Sequence, residues 1–463
     1  MKRFCAAVLL TISSQLYGEP NETGVGLTIY NGNFAVVKER RTLPFSEGLN
    51  TLQFTDVATA IDPTTVKFEC LSSPGRVNIL EQNYEFDLAN TQSLLKRYLN
   101  KDIELSVKGA GSDPSRNTNG MLIGARDENI ILMNSQTKTL EIIGRSDIES
   151  IKLSELPADL IVEPALVWLA RSEVSGGQLC QITYTTNEIN WNADYTATLD
   201  PNETAVSFAG WVTIDNKSGT AYKDAKLKLV AGDVRRVQPP QPRMDMVYME
   251  KRRTMAAAAP EGFEEKPFME YHLYTLARPS TIKNNETKQL ELIPTAEKVA
   301  VKKLLVFDRQ EKADKVQVKF EFANSKENQL GIALPQGKVR VFKKDPADGM
   351  LEFVGEDQIK HTARNEKVSL YIGDAFDIVP EYTMLDSKVD RRSRTETHKI
   401  ELRNRKDSPV TVRVDEKFPQ WVNWKIDDST HKYTKHDATT ARFEINIPAD
   451  ANETLQYTAT QSW

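Results

Sequence analysis

From Asn190 to Gly232 the chain alternates apolar and polar residues in three successive runs: Tyr195 to Leu199, Ala205 to Ile214 and Ala225 to Val230. A period of two sends successive side chains to opposite faces, so each run reads as a half-buried strand. Turn residues bound each run: Asp200, Pro201 and Asn202, then Asn216 to Gly219, then Gly232 and Asp233. Such a segment fits an antiparallel sheet, and Trp191 and Trp211 are expected to fill sandwich cores.

The same pattern recurs beyond this stretch. Leu27 to Tyr30 and Phe34 to Val37 flank Asn31-Gly32, a strong hairpin cue, and open a β-domain expected over residues 25–88. Residues 94–155 read as one short helix, Leu94 to Leu99, followed by five short strands. That order suggests a small Sm-like or SH3-like barrel. Barrels of this kind often bind RNA, but Lys96 to Glu155 holds nine basic and nine acidic residues, which gives no attraction for a phosphate backbone. A sandwich is expected over 160–300, interrupted at 234–267 by a Pro-, Met- and charge-rich stretch without periodicity. That stretch reads as a mobile insertion, with Met244, Met246, Met249 and Met255 as adaptable contacts. Residues 301–463 complete a C-terminal sandwich. The expected fold class is therefore all-β: a multidomain β-sandwich protein with a small barrel.

Three strands end in Asn, at Asn216, Asn324 and Asn404, each before a Lys-containing polar turn. Asn tolerates left-handed backbone and bonds its own chain, so these read as equivalent sandwich-edge turns. Their spacing is too uneven for a short-period array.

Trp191 to Tyr195, Gly210 to Gly219, Leu227 to Asp233, Tyr271 to Tyr274, Phe322 to Asn328, Tyr371 to Asp377 and Leu402 to Val412 together resemble the bacterial family catalogued as domain of unknown function 4139. The resemblance runs over nearly the whole exported chain and implies its architecture. It implies no activity and no catalytic residues. Longer relatives, some called mucoidy-inhibitor-like, carry a coiled coil after the first β-domain, whereas from about Thr91 this chain shows no heptads.

Met1-Lys2-Arg3, an apolar run from Phe4 to Ile12 and a polar stretch to Gly18 follow the order of a secretory signal, expected over 1–18. The run is too short to span a membrane. Removing it leaves 58 basic against 65 acidic groups, a net charge of −7, which disfavours nucleic acid and anionic lipid as partners. It also removes Cys5, and the remaining Cys70 and Cys180 do not make a disulfide scaffold. Five Asn-x-Ser/Thr sequons, at Asn21, Asn202, Asn216, Asn285 and Asn452, are close to the roughly four that chance supplies.

Neither a Gly-x-Ser-x-Gly elbow nor a phosphate-binding Gly loop occurs. His431 and His436 stand five apart in a polar stretch, with Asp437 adjacent, which does not fit the one-turn spacing of a zinc-binding helix. His272, His361 and His398 read as solvent-facing. Asp374 and Asp377 are the carboxylates of interest, as a turn or, alternatively, as the pair of an envelope glycan hydrolase. Trp421 and Trp424 suggest a stacking platform, with at least one of them in a core. The function expected is an exported, non-catalytic binding or scaffold protein with an envelope protein or polymer as partner. No catalytic residue, cofactor or metal is assigned.

Overall fold

The computed structural model describes residues 23–86, 91–109, 114–126, 128–153, 163–232, 234–236 and 263–463. The expected signal peptide at 1–18 and most of the 234–267 insertion, including its four methionines, lie outside these residues. Of the described residues 66% are in strands and 3% in helices, with the only described α-helix at Thr91–Arg97. The all-β expectation holds.

One five-strand unit is used four times. Its strands are, in the first repeat, Gly24–Tyr30, Phe34–Phe45, Gly48–Phe54, Ala165–Ser172 and Gly176–Asn187; in the second, Ile189–Leu199, Ala205–Asn216, Tyr222–Ala231, Tyr271–Leu276 and Glu286–Ala300. The third has Lys302–Phe307, Gln317–Ala323, Gly337–Lys344, Leu351–Ile359 and Lys367–Asp374, and the fourth Ile378–Val389, Ser393–Asn404, Val410–Lys417, Thr440–Ile447 and Asn452–Ser462. In every repeat the second strand pairs antiparallel with the first and with the fifth. The third pairs antiparallel with the fourth. In the second, third and fourth repeats the third strand also runs parallel to the first strand of the repeat before it. Each repeat after the first therefore places three strands in one sheet and two in the preceding sheet, and the sandwiches interlock along the chain.

Strand pairing crosses several of the limits expected from the sequence. The stretch 25–88 does not close on itself: Phe34–Phe45 and Ile61–Cys70 both pair with Gly176–Asn187, across the expected boundary near 160. Likewise Gly337–Lys344, from the expected C-terminal sandwich, pairs with Ile189–Leu199 of the signature one. The end of the expected insertion is a strand, Phe263–Phe268, laddered to Tyr271–Leu276. In the first, second and fourth repeats extra segments enter between the third and fourth strands, and the one in the second repeat, between Asn216 and Asn324, makes the spacing of the Asn turns uneven. The largest contains the small five-stranded sheet, in the order Ile148–Leu153, Asp102–Val107, Arg116–Arg126, Asn129–Met133, Leu140–Gly144. It has its own core around Leu95, Tyr98, Leu105, Leu122 and Ile130. No ladder joins its two outer strands among the described residues.

The three Asn turns are equivalent, though not through left-handed backbone, which none of the three adopts. Each side chain is fully buried at 0% exposure and works as a cross-link. The Asn216 amide donates to Thr220 O and Lys283 O, both at 2.9 Å, and its oxygen accepts from the Ser218 N–H at 3.1 Å. Asn324 donates to Ile332 O at 2.7 Å and Ala363 O at 3.0 Å, and Asn404 to Ser408 O at 2.9 Å and Pro448 O at 2.8 Å. One amide thus ties its own turn to the loop before the fifth strand and satisfies carbonyls that no ladder reaches.

Within the second repeat, alternate residues from Ile189 to Leu199 are buried. Trp191 is buried near one end, its indole N–H donating to Val230 O at 3.2 Å and its ring edge-on to Tyr274. Toward the other end, Ala197 and Leu199 line an apolar void with Phe320, Phe322 and Leu370 of the next sheet. A single sheet face so covers two neighbours. Trp211, expected in a core, is 40% exposed because Val206, Phe208, Val212 and Ile214 fix the buried parity of its strand.

Candidate functional site

The two carboxylates singled out in the sequence are not brought together by any shared contact. Asp374 ends its strand and accepts from Lys312 Nζ at 3.0 and 3.1 Å and from the Tyr371 hydroxyl at 2.8 Å. Burial pushes its carboxyl up, but Lys312 and Tyr371 outweigh that and hold its pKa below the ordinary value. A glycosidase acid needs the opposite shift. Asp377 serves through its backbone, accepting the Arg405 N–H at 2.8 Å, and Phe376 between them is 95% exposed.

The histidines also separate. His431 lies 3.5 Å from Glu453, whereas His436 takes a hydrogen bond from Arg442 at 3.1 Å. Among the described residues no three His, Cys, Asp or Glu side chains gather as a metal-binding group. Cys70 and Cys180 are ladder partners, buried and free, and burial followed by the neighbouring thiol pushes Cys180 up to about 12.

His398, read from sequence as solvent-facing, is 2% exposed and belongs to a buried ionic cluster between the last two sheets. The Arg309 guanidinium donates to Glu416 at 2.6 Å and lies over the Tyr382 ring. The Tyr382 hydroxyl meets His398 Nδ1 at 3.0 Å, and His398 Nε2 stands 3.8 Å from Glu396, which also pairs with Arg394 at 2.5 Å. Burial holds the His398 pKa below its ordinary value, although Glu416 and Glu396 pull it upward. Two cations then balance two carboxylates around a neutral imidazole. Strand parity carried the signal that composition hid: His398 shares its face with Ile400 and Leu402.

At the far end of the same sandwich lies exposed aromatic surface. Trp424 packs inward, stacked on Phe418 at 4.6 Å, with its indole N–H donating to Ala438 O at 2.7 Å. Trp421 is 70% exposed and stands edge-on, at 5.9 Å, to Trp463, itself 48% exposed. The platform expected from Trp421 and Trp424 is built instead from Trp421 and Trp463. Sequence reasoning missed Trp463 because ladder pairing, not sequence proximity, brings it there: Ser462 pairs with both Asn423 and Ser393. The Trp463 N–H donates to Arg392 O at 3.1 Å, which places the exposed Arg391 and Arg392 turn beside it. Lys435 lies 4.8 Å over Trp424.

A second concavity, about 330 Å³, is lined by Tyr30, Phe34, Val234, Arg235 and Gln336 at the root of the insertion. Arg236 stacks on Phe34 there and donates to Asn187 at 3.2 Å. Among the described residues, no helix is long and apolar enough to cross a membrane.

No curated protein matches the chain. The family model described as "Domain of unknown function (DUF4139)" matches residues 180–463, from the closing strand of the first repeat through the other three. The matched part spans more than half of the chain, and the protein belongs to that family.

Proposed function

We propose that this is an exported binding or scaffold protein of the cell envelope, which holds a protein or polymer partner through the Trp421–Trp463 surface and catalyses no reaction. The observation that carries this reading is the exposed aromatic pair beside an arginine turn. Exposed Trp and Arg are the side chains most often found at the energetic centre of interfaces, since each covers a large area and still makes directed contacts. The interlocked sheets suit a scaffold, because they hold that surface on laddered strands. The ion-paired Asp374, with its lowered pKa, supports binding over glycan hydrolysis. The nearly balanced charge of the small five-stranded sheet and the net acidity of the chain support a partner other than nucleic acid.

The test is retention on purified envelope material, comparing the native chain with a Trp421→Ala, Trp463→Ala double variant. Both side chains are exposed, so the variant should fold normally. Retention should fall about tenfold or more, the loss of roughly one interface anchor. Unchanged retention sinks the proposed surface. If Asp374→Asn or Asp377→Asn instead abolishes release of sugar fragments from envelope polymer, the hydrolase reading replaces this one.

A further inference from the structure

The interlocking rule leaves one receiving edge and one donating edge without partners among the described residues. In the first three sheets the first strand of a repeat receives a parallel strand: Gly26–Tyr30 receives Lys226–Val230, Ala193–Leu199 receives Gly337–Lys343, and Leu305–Phe307 receives Val412–Val414. In the fourth sheet the corresponding strand, Ile378–Val389, lies at the edge with nothing paired to its outer side. At the opposite end of the molecule, Gly48–Phe54 is a third strand laddered to its fourth, Ala165–Ser172, and its other side is also a sheet edge. Each end lacks the strand that the other end displays.

We propose that two copies of this chain join head to tail by strand addition, with Gly48–Phe54 of one copy running parallel to residues 382–389 of the next. The register supports this location. Ile189 stands opposite Asn216 as Ile378 stands opposite Asn404, so the receiving stretch 193–199 of the second repeat corresponds to 382–389 of the fourth, where a bulge between Met384 and Asp386 adds one residue. Pro380, which has no N–H for a new ladder, corresponds to Trp191 and lies outside that stretch. Both edges expose aliphatic side chains that a joint would cover: Leu49 is 62% exposed, Met384 43% and Leu385 48%. An unpaired strand edge is a template for another strand. The joined sheet would keep the strand order found in the three internal sheets. Because the two surfaces differ, such a joint leaves a new free edge at each end and propagates as an open array or closes as a ring.

The proposal is tested on the full chain by light scattering across a concentration series and by cross-linking with a short bis-maleimide. Thr51 and Thr383 are exposed on the two edges and Cys70 and Cys180 are buried, so Thr51→Cys and Thr383→Cys are each made in a chain that also carries Cys5→Ser. Mass should rise with concentration; a mixture of the two single variants should cross-link as dimers, and the double variant as a ladder of multimers. Leu49→Lys and Leu385→Lys should each weaken association about tenfold or more while leaving the thermal transition in place. A monomer at all concentrations overturns the joint. So does cross-linking of either single variant with itself, which would mark a symmetric contact, or association that both Lys variants leave unchanged. Trp421 and Trp463 lie outside the two joined edges, so failure here is separate from failure of the partner-binding surface.

Discussion

The sandwich that Trp191 fills and the sandwich that closes the chain are built by the same pairing rule, but the second buries an ionic cluster beside its apolar core. Trp191 meets Tyr274, Tyr195 stacks on Phe208, and Phe208 meets Phe322. In the last sandwich the strand pair Ile378–Val389 and Ser393–Asn404 begins comparably, with Ile378, Ile400 and Leu402 buried, but turns to Glu396, His398 and Tyr382 farther along. Strand pairing therefore fixes the layers without fixing what fills them. A close-packed apolar interior responds to volume, whereas a buried ion network responds to pairing and to protons.

The contrast breaks first on size. Trp191→Ala should destabilise by about 3–5 kcal/mol, through lost burial and a cavity, and denaturant unfolding should show it as a lower midpoint. A variant of native stability would mean that Trp191 does not fill the joint between sheets. In the ionic sandwich the expected loss comes from a broken pair. Arg309→Met leaves Glu416, only 4% exposed, without its partner and should cost about 2–3 kcal/mol, discounted because Arg309 keeps 26% of its side-chain exposure. Adding Glu416→Leu should restore most of that stability. If the double variant is as unstable as the sum of its parts, the pair is needed for more than mutual compensation.

The Asn cross-links are common to both sandwiches. Asn404→Ala withdraws the donor from Ser408 O and Pro448 O and should cost about 1–3 kcal/mol, with the same order of loss for Asn216→Ala. Equal losses in the two sandwiches would show that the turn device is indifferent to core chemistry, and a large disparity would show the reverse.

The strands were legible because alternation is a local signal: Tyr195 to Leu199 and Ala205 to Ile214 each declare a buried parity by themselves. Pairing was not legible. Nothing near Gly337 says that it runs beside Ala193, since parallel neighbours are chosen by the whole stack. The Asn turns were legible as equivalent and as bonded to their own backbone, but not as cross-links to a distant loop, because that loop lies far away in sequence. His398 was misplaced for a related reason: polar neighbours in sequence occupy the other face, and the groups that surround it come from four different strands and a loop. Of the aromatic surface, Trp421 was visible and Trp463 was not, since only the ladders bring residue 463 to residue 421.

The smallest effect is a matter of pH, and it separates the two sandwiches most cleanly. His398 faces Tyr382, Glu396, Glu416, Tyr457, Arg309 and Arg394, and burial lowers its pKa in the fold. A depressed histidine pKa means that the unfolded chain binds the proton more readily. Titration of His398 therefore costs the fold nothing above the unfolded value of about 6.5 and destabilises it progressively as pH falls from there through the folded value. His398→Gln should flatten this part of the profile while leaving stability near pH 7.5, roughly one unit above that value, little changed. Subtracting the two profiles removes groups common to both chains, including Glu39, whose carboxyl burial raises in the first sheet. Thermal midpoints of both chains between about pH 7.5 and 5, the window in which an ordinary histidine titrates, give the comparison. If the native chain and the variant lose stability in parallel over that window, the imidazole is not the neutral member of the cluster, and the balance of two cations against two carboxylates must be redrawn.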